Sequence, residues 1–196
     1  VNITVNSVND VPVAGNASAT VSEEGLSPDG IPDTDGSPSD VSDSATFTGN
    51  IAVSDADGDS LTVTFESPPA NGEFTSNGVD VTWTGSGTST LTGMAGSNPV
   101  ATISIASNGD YTVTLKAPID HPGSNVEDVA SFDVVVRASD GFQSSTGTLT
   151  LHIEDDAPSI GTVPNAVITA EAGVELVADT GFKSGADSNG AALTFS

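Results

Sequence analysis

The sequence predicts an all-β protein built as an antiparallel β-sandwich, and three observations carry that prediction. Apolar residues recur at every second position in run after run, Gly-bearing turn dipeptides separate the runs, and no stretch sustains an apolar face at helical spacing. The first long run alternates Leu61, Val63 and Phe65 with Thr62, Thr64 and Glu66. The next sets Val79, Val81 and Trp83 against Asp80 and Thr82, and a third carries Ala101, Ile103 and Ile105. Tyr111, Val113 and Leu115 follow, then Phe132, Val134 and Val136 against Asp133, Val135 and Arg137, then Leu149, Leu151 and Ile153 against Thr148, Thr150 and His152. A period of two places one set on a core and the other in water. Threonine at the outward positions suits a pleated surface. Asp57-Gly58, Asn71-Gly72, Asn77-Gly78, Asn108-Gly109 and Asp140-Gly141 supply the turns. Trp83 and Tyr111 share the parity of the apolar positions and are expected in the core, while His152 is expected on the solvated face.

Charge narrows the function. The 196 residues include 27 acidic and 3 basic ones, a formal net charge of −24, and no cysteine. Lys116, Arg137 and Lys183 cannot form a phosphate-neutralising patch, so nucleic acid is not an expected partner. No apolar run approaches the ~20 residues of a membrane helix, and no insertion into a membrane is expected. Disulfides and Cys-ligated metal are excluded. No nucleophile elbow, phosphate loop or HExxH motif is present. The neighbours Asp120 and His121 lie in an Asp-His-Pro-Gly turn and make a poor catalytic dyad, so no enzymatic activity is expected.

The chain repeats itself imperfectly. Ile3, Val5, Asn9, Asp10 and Pro12 match Leu149, Leu151, Asp155, Asp156 and Pro158 at one interval of ~146 residues. Ala19 to Gly25 resembles Ile168 to Gly173, and Ser54 to Phe65 resembles Ser184 to Phe195. This reads as a tandem array: the last strand of one module and its linker at 1–10, a complete module at 11–156, and the start of the next at 157–196. The segment Leu26–Ser44, rich in Pro, Asp and Ser, has no counterpart in the second copy and reads either as a solvated loop or as a recognition loop ordered by cations.

The carboxylates carry the chemistry. Asp55, Asp57 and Asp59 stand at i, i+2 and i+4 around Gly58, a spacing that lets side-chain and backbone oxygens converge on one hard cation. Three carboxylates so close repel unless something neutralises them. Calcium accepts six to eight oxygens at ~2.3–2.6 Å in irregular geometry, whereas zinc would want His or Cys. Asn9 and Asp10, with Glu23 or Glu24 and with Asp140, form a second candidate set at a module junction, where calcium would stiffen the joint. Asp155 and Asp156 with Glu171 would form the corresponding set at the next junction. A loose, mutually repelling chain inside the cell that folds in millimolar calcium outside fits an exported protein.

The order Val21-Ser22-Glu23-Glu24-Gly25-Leu26, Val53 to Asp59, Tyr111 to Leu115, Asp120-His121-Pro122, Arg137 to Gly141 and Glu154 to Pro158 resembles the repeats of giant RTX adhesins that bacteria export by type I secretion. The linker, glutamate and aspartate-loop pattern is also similar to the calcium signature of cadherins. The resemblance implies an Ig-like or cadherin-like β-sandwich with calcium-binding loops, set on an extracellular bacterial surface. Among such modules this one is most like the peptide-binding domains, which are implied to grip the free C-terminus of a partner protein on another cell through a bound calcium. Neighbouring modules of the same adhesin would be its other partners. No short motif defines that pocket, and the loops around Asp29–Asp43, Asn71–Asn77 and Gly85–Asn98 are its expected region, with Asp33, Asp35 and Asp110 as candidate ligand contacts. A structural extender repeat and a carbohydrate-binding module are the two alternative readings.

Overall fold

A computed structural model describes residues 8–28, 30, 41–122, 128–156, 159–160 and 182–183. In chain order its strands are β1 (Val13–Ala14), β2 (Ala17–Ser22), β3 (Thr46–Asn50), β4 (Val53–Ser54), β5 (Thr62–Ser67), β6 (Thr75–Ser76) and β7 (Val79–Thr84). They continue as β8 (Thr90–Ala95), β9 (Asn98–Ile105), β10 (Asp110–Leu115), β11 (Val129–Ser139), β12 (Ser144–Glu154), β13 (Ser159–Ile160) and β14 (Phe182–Lys183). No α-helix occurs among the described residues; a 3-10 turn follows β2 at Glu23–Gly25. The all-β sandwich expected from the alternation is thus the observed fold.

A six-stranded sheet runs β3-β10-β9-β8-β7-β6, and a four-stranded sheet runs β2-β12-β11-β5. Their inward residues form one apolar cluster: Phe65, Val134, Leu149 and Leu151 from the smaller sheet meet Val81, Leu91, Ile103 and Val113 from the larger. Trp83 and Tyr111 are core residues, as their parity predicts. Phe74, Trp83 and Phe132 pack together, with centroids 6.1 Å (Phe74–Trp83), 5.0 Å (Phe74–Phe132) and 5.9 Å (Trp83–Phe132) apart. The Tyr111 hydroxyl donates to the Ser18 carbonyl at 2.8 Å and so ties the larger sheet to β2.

Two local expectations are corrected. The stretch Gly85–Asn98 is not a connection: it contains β8, an interior strand of the larger sheet. Its inward residues are Leu91, Gly93 and Ala95, and glycine stands where an apolar side chain would announce a strand because the Trp83 ring lies against it; a Cβ there would come within 3.2 Å of the indole. The sandwich is also not wholly antiparallel, because β2 pairs with β12 in parallel, from Ala17 opposite Leu149 to Ser22 opposite Glu154. The second departure has a consequence for the carboxylates, since it sets where each strand end points.

Residues 157–196, read as the start of a further module, and residues 1–7 lie mostly outside the described residues. Within them only the pairing of Ser159 with Lys183 and Ile160 with Phe182 is described.

Candidate metal centres

The described acidic residues singled out as metal ligands gather at the two ends of the smaller sheet. At the end where β11 turns into β12, Asp140 opens the turn. Its Oδ1 accepts the backbone N–H groups of Phe142 and Gln143, both at 2.6 Å. These bonds, led by that from Gln143, and the Asn9 amide hold its carboxyl below the usual carboxylate range. The Asn9 Nδ2 donates to Asp140 Oδ2 at 2.8 Å, and Gln143 returns a bond to the Asn9 carbonyl at 2.8 Å. The next linker residue, Asp10, donates its N–H to Asp57 Oδ2 at 2.7 Å. Asp57 and Asp59 in turn donate backbone N–H groups to Asp55 Oδ1 at 2.9 and 3.3 Å.

One oxygen from each of Asp55, Asp57 and Asp59 falls within 4.8 Å of the others. Asp55 Oδ2 is buried and accepts no hydrogen bond. The turn that the spacing singled out therefore does converge its carboxylates, and the linker pair Asn9-Asp10 docks on the same end.

The other end is built by the parallel pairing. Because Ser22 lies opposite Glu154, the residues that follow each strand emerge side by side. Ser22 caps the 3-10 turn, its hydroxyl accepting from the Glu24 N–H at 3.0 Å, and this turns the glutamate pair back into the protein. Glu23, Glu24, Glu154, Asp155 and Asp156 are all buried, none more than 4% exposed. The Glu23 Oε1 accepts the Ile119 N–H at 2.7 Å and lies 3.3 Å from His121 Nε2. The other imidazole nitrogen, Nδ1, faces Asp128 Oδ1 at 2.5 Å. One ligand atom from each of Glu23, His121 and Asp155 lies within 4.8 Å of the others. Glu154 Oε1 accepts from the Val41 N–H at 2.9 Å.

Glu23 and Glu24 therefore do not join Asn9, Asp10 and Asp140, as the sequence grouping had them. They join Asp155 and Asp156 at the opposite end of β12, a strand of 11 residues and so on the order of 35 Å long. Glu171, expected to complete that set, lies outside the described residues.

The second end is electrostatically costly as it stands. Buried carboxylates need a partner or a metal, and the desolvation of an unpaired ion is severe. Burial pushes the Glu23 carboxyl up to about 7, against the opposing pull of His121 and of the Ile119 N–H. Burial also works against the His121 imidazolium, but Glu23, Asp155 and Asp128 overcome it and raise that group to about 9. The other oxygen of Glu23, Oε2, is buried with no hydrogen-bond partner. A carboxylate oxygen in that state, among four more buried carboxylates, fits a hard cation. The donor set is oxygen-rich with a single nitrogen, and that nitrogen already faces Glu23. Such a set suits calcium better than zinc.

His121 and Glu154 are the residues of this candidate site that sequence reasoning did not name as ligands, and His121 is the harder of the two to find. Alternation says nothing about a residue between strands, and only the fold brings the loop after β10 against the 3-10 turn. Of the expected ligand contacts, Asp33 and Asp35 lie outside the described residues. Asp110 is exposed and serves its own turn: Asn50 and Asn108 donate amides to it at 2.8 and 2.6 Å and lower its pKa. Asn71, in another expected pocket loop, accepts the Trp83 backbone N–H on its Oδ1 at 2.8 Å. Compared with protein-family models and with curated proteins, the chain matches none.

Proposed function

We propose that this chain is a non-enzymatic, calcium-dependent recognition module of a large bacterial adhesin of the RTX type, displayed outside the cell. It recognises peptide or protein on another surface, and a bound calcium meets the partner's C-terminal carboxylate. The observation that carries the calcium half of this reading is Glu23 Oε2, a buried, unpartnered carboxylate oxygen among four other buried carboxylates. A cation shared between protein and ligand oxygens lets a protein of net charge −24 bind an acidic chain end.

The position of both carboxylate clusters, at opposite ends of β12, favours a second reading. Calcium at module ends would rigidify a stalk, and the chain would then be an extender. Calorimetric titration of the calcium-loaded chain with a peptide library in free-carboxylate and C-amidated forms separates the two. Recognition by carboxylate capture predicts binders that lose affinity on amidation. If no peptide distinguishes the two forms, the extender reading stands. A sugar-binding module would use exposed aromatic platforms; Trp83 and Tyr111 are core residues, and among the described aromatic residues only Phe142 is strongly exposed.

A further inference from the structure

We propose that the half of β11 left unpaired on one side among the described residues is a strand-addition site for an extended, cationic peptide segment of a partner protein. The site starts beside the buried cluster, since Val129 pairs with Glu154, and runs away from it along β11; it goes beyond the calcium-mediated reading, on which it does not depend. β11 runs from Val129 to Ser139, but β5 pairs only with Val135 to Ser139. The register shift beside Val135 and the Pro68-Pro69 pair that follows β5 end the pairing, since proline has no N–H to continue a ladder.

The orientation of the open edge can be read from the hydrogen bonds. The Phe65 N–H and carbonyl are both taken by the 85–88 turn, donating to Thr88 and accepting from Gly87. Thr64 therefore faces β11, and so does its partner Arg137 face β5. The extra residue at the register shift, Glu66, lies in β5, so the parity of β11 is unbroken. Ser131 and Asp133 accordingly turn their backbone N–H and carbonyl groups to the open side. The even residues face β12, in keeping with the Asp128 carbonyl accepting from Asp155.

The space beside this edge is a groove of about 450 Å³ lined by, among others, Pro68, Pro69, Glu73, Phe132, Asp133 and Thr150. That volume takes an extended segment of three or four residues. Ladder groups that no described residue pairs call for main-chain donors and acceptors, which an added strand supplies. Alternate side chains of such a strand would meet Phe132 on the inner side and Asp133 on the outer. Among the described residues, two carboxylates, Glu73 and Asp133, and no cation line the groove. A second copy of this chain, itself at −24, is a poor occupant, and a strand bearing Lys or Arg at alternate positions is a good one.

The test is an NMR titration of the isotope-labelled, calcium-saturated chain with the blocked hexapeptide Ac-KVKVKV-NH2. The expected result is shift changes centred on the amides of Ser131 and Asp133. Backbone N-methylation of the peptide, replacement of its lysines by glutamate, and the Asp133→Lys variant should each weaken binding by about tenfold or more. Ser131→Pro, which removes one edge donor, should do the same; if that variant does not fold, the peptide modifications and Asp133→Lys still decide. Absence of binding, equal binding by the N-methylated peptide, or shift changes centred elsewhere would overturn the proposal. The blocked ends cannot engage calcium through a terminal carboxylate, so failure here leaves carboxylate capture untouched, and failure of that reading leaves this one standing.

Discussion

Glu23 carries more of the account than any other residue. It sits in the first turn after β2 with one oxygen held by the Ile119 N–H and the other buried without a partner. Glu23→Gln keeps the shape and the held oxygen but removes a ligand charge. In metal-stripped buffer near neutral pH the variant should melt close to the parent. In calcium it should lose most of the metal-induced gain at that end, ~2–3 kcal/mol where calcium is about a hundredfold above Kd; calorimetric melting in both buffers checks this.

The titration of this residue and its neighbour gives a second expectation. The Glu23 carboxyl is raised from 4.5 to about 7, so the folded chain binds more protons than the unfolded one between those values. Its contribution is complete below 4.5 and is lost as pH rises through 7. His121, raised from 6.5 to about 9, contributes fully below 6.5 and is lost as pH rises through 9. Metal-stripped protein should therefore melt lower at about pH 9 than at about pH 5. Calcium, which binds the deprotonated carboxylate, should flatten or reverse that trend. Gly93 makes a different point at the same scale. Gly93→Val forces a side chain against the Trp83 ring and is expected to cost about 1–3 kcal/mol by denaturant unfolding, although valine favours strands.

Among the elements, β2 and β12 decide what the carboxylates can do. Their parallel pairing separates the Asp55 and Asp140 cluster from the Glu23 and Asp155 cluster by the length of β12. Sites so far apart should act independently. The calcium-dependent destabilisations of Asp57→Asn and Glu23→Gln should add in the double variant to within ~0.5 kcal/mol, as read by calorimetry. Alternation made β5, β7, β9, β10, β11 and β12 legible, because residues such as Phe65, Ile103, Val113 and Leu149 lie in a strict period of two. It failed at β8, where Gly93 interrupts the apolar face to make room for Trp83. It also cannot name a strand's neighbour. A parallel β2 and an antiparallel one have the same local sequence, so the grouping of Glu23 with Asn9 and Asp140 could not be corrected before the fold was known. The aspartate turn at 55–59 was legible because its ligands are local, and the buried cluster was not because its members come from three separated segments.

For the molecule as a whole, the balance of 27 acidic against 3 basic residues sets a repulsion that bound cations would relieve. Each bound calcium would cancel two charges and tie a loop or linker to the sandwich. If both ends are occupied at a hundredfold excess over Kd, the gain is ~5 kcal/mol, which for a module of this size raises Tm by on the order of 10 °C. Magnesium, which demands a stricter octahedron and keeps its waters, should raise it much less at equal concentration.

The presence of the ion itself is most directly tested by an anomalous difference map from crystals grown in calcium, collected at a wavelength where calcium scatters anomalously. Peaks within coordination distance of Glu23 Oε2 at one end and of Asp55 Oδ2 at the other are the result expected. Water-level density at both oxygens, in crystals grown in excess calcium, would contradict it.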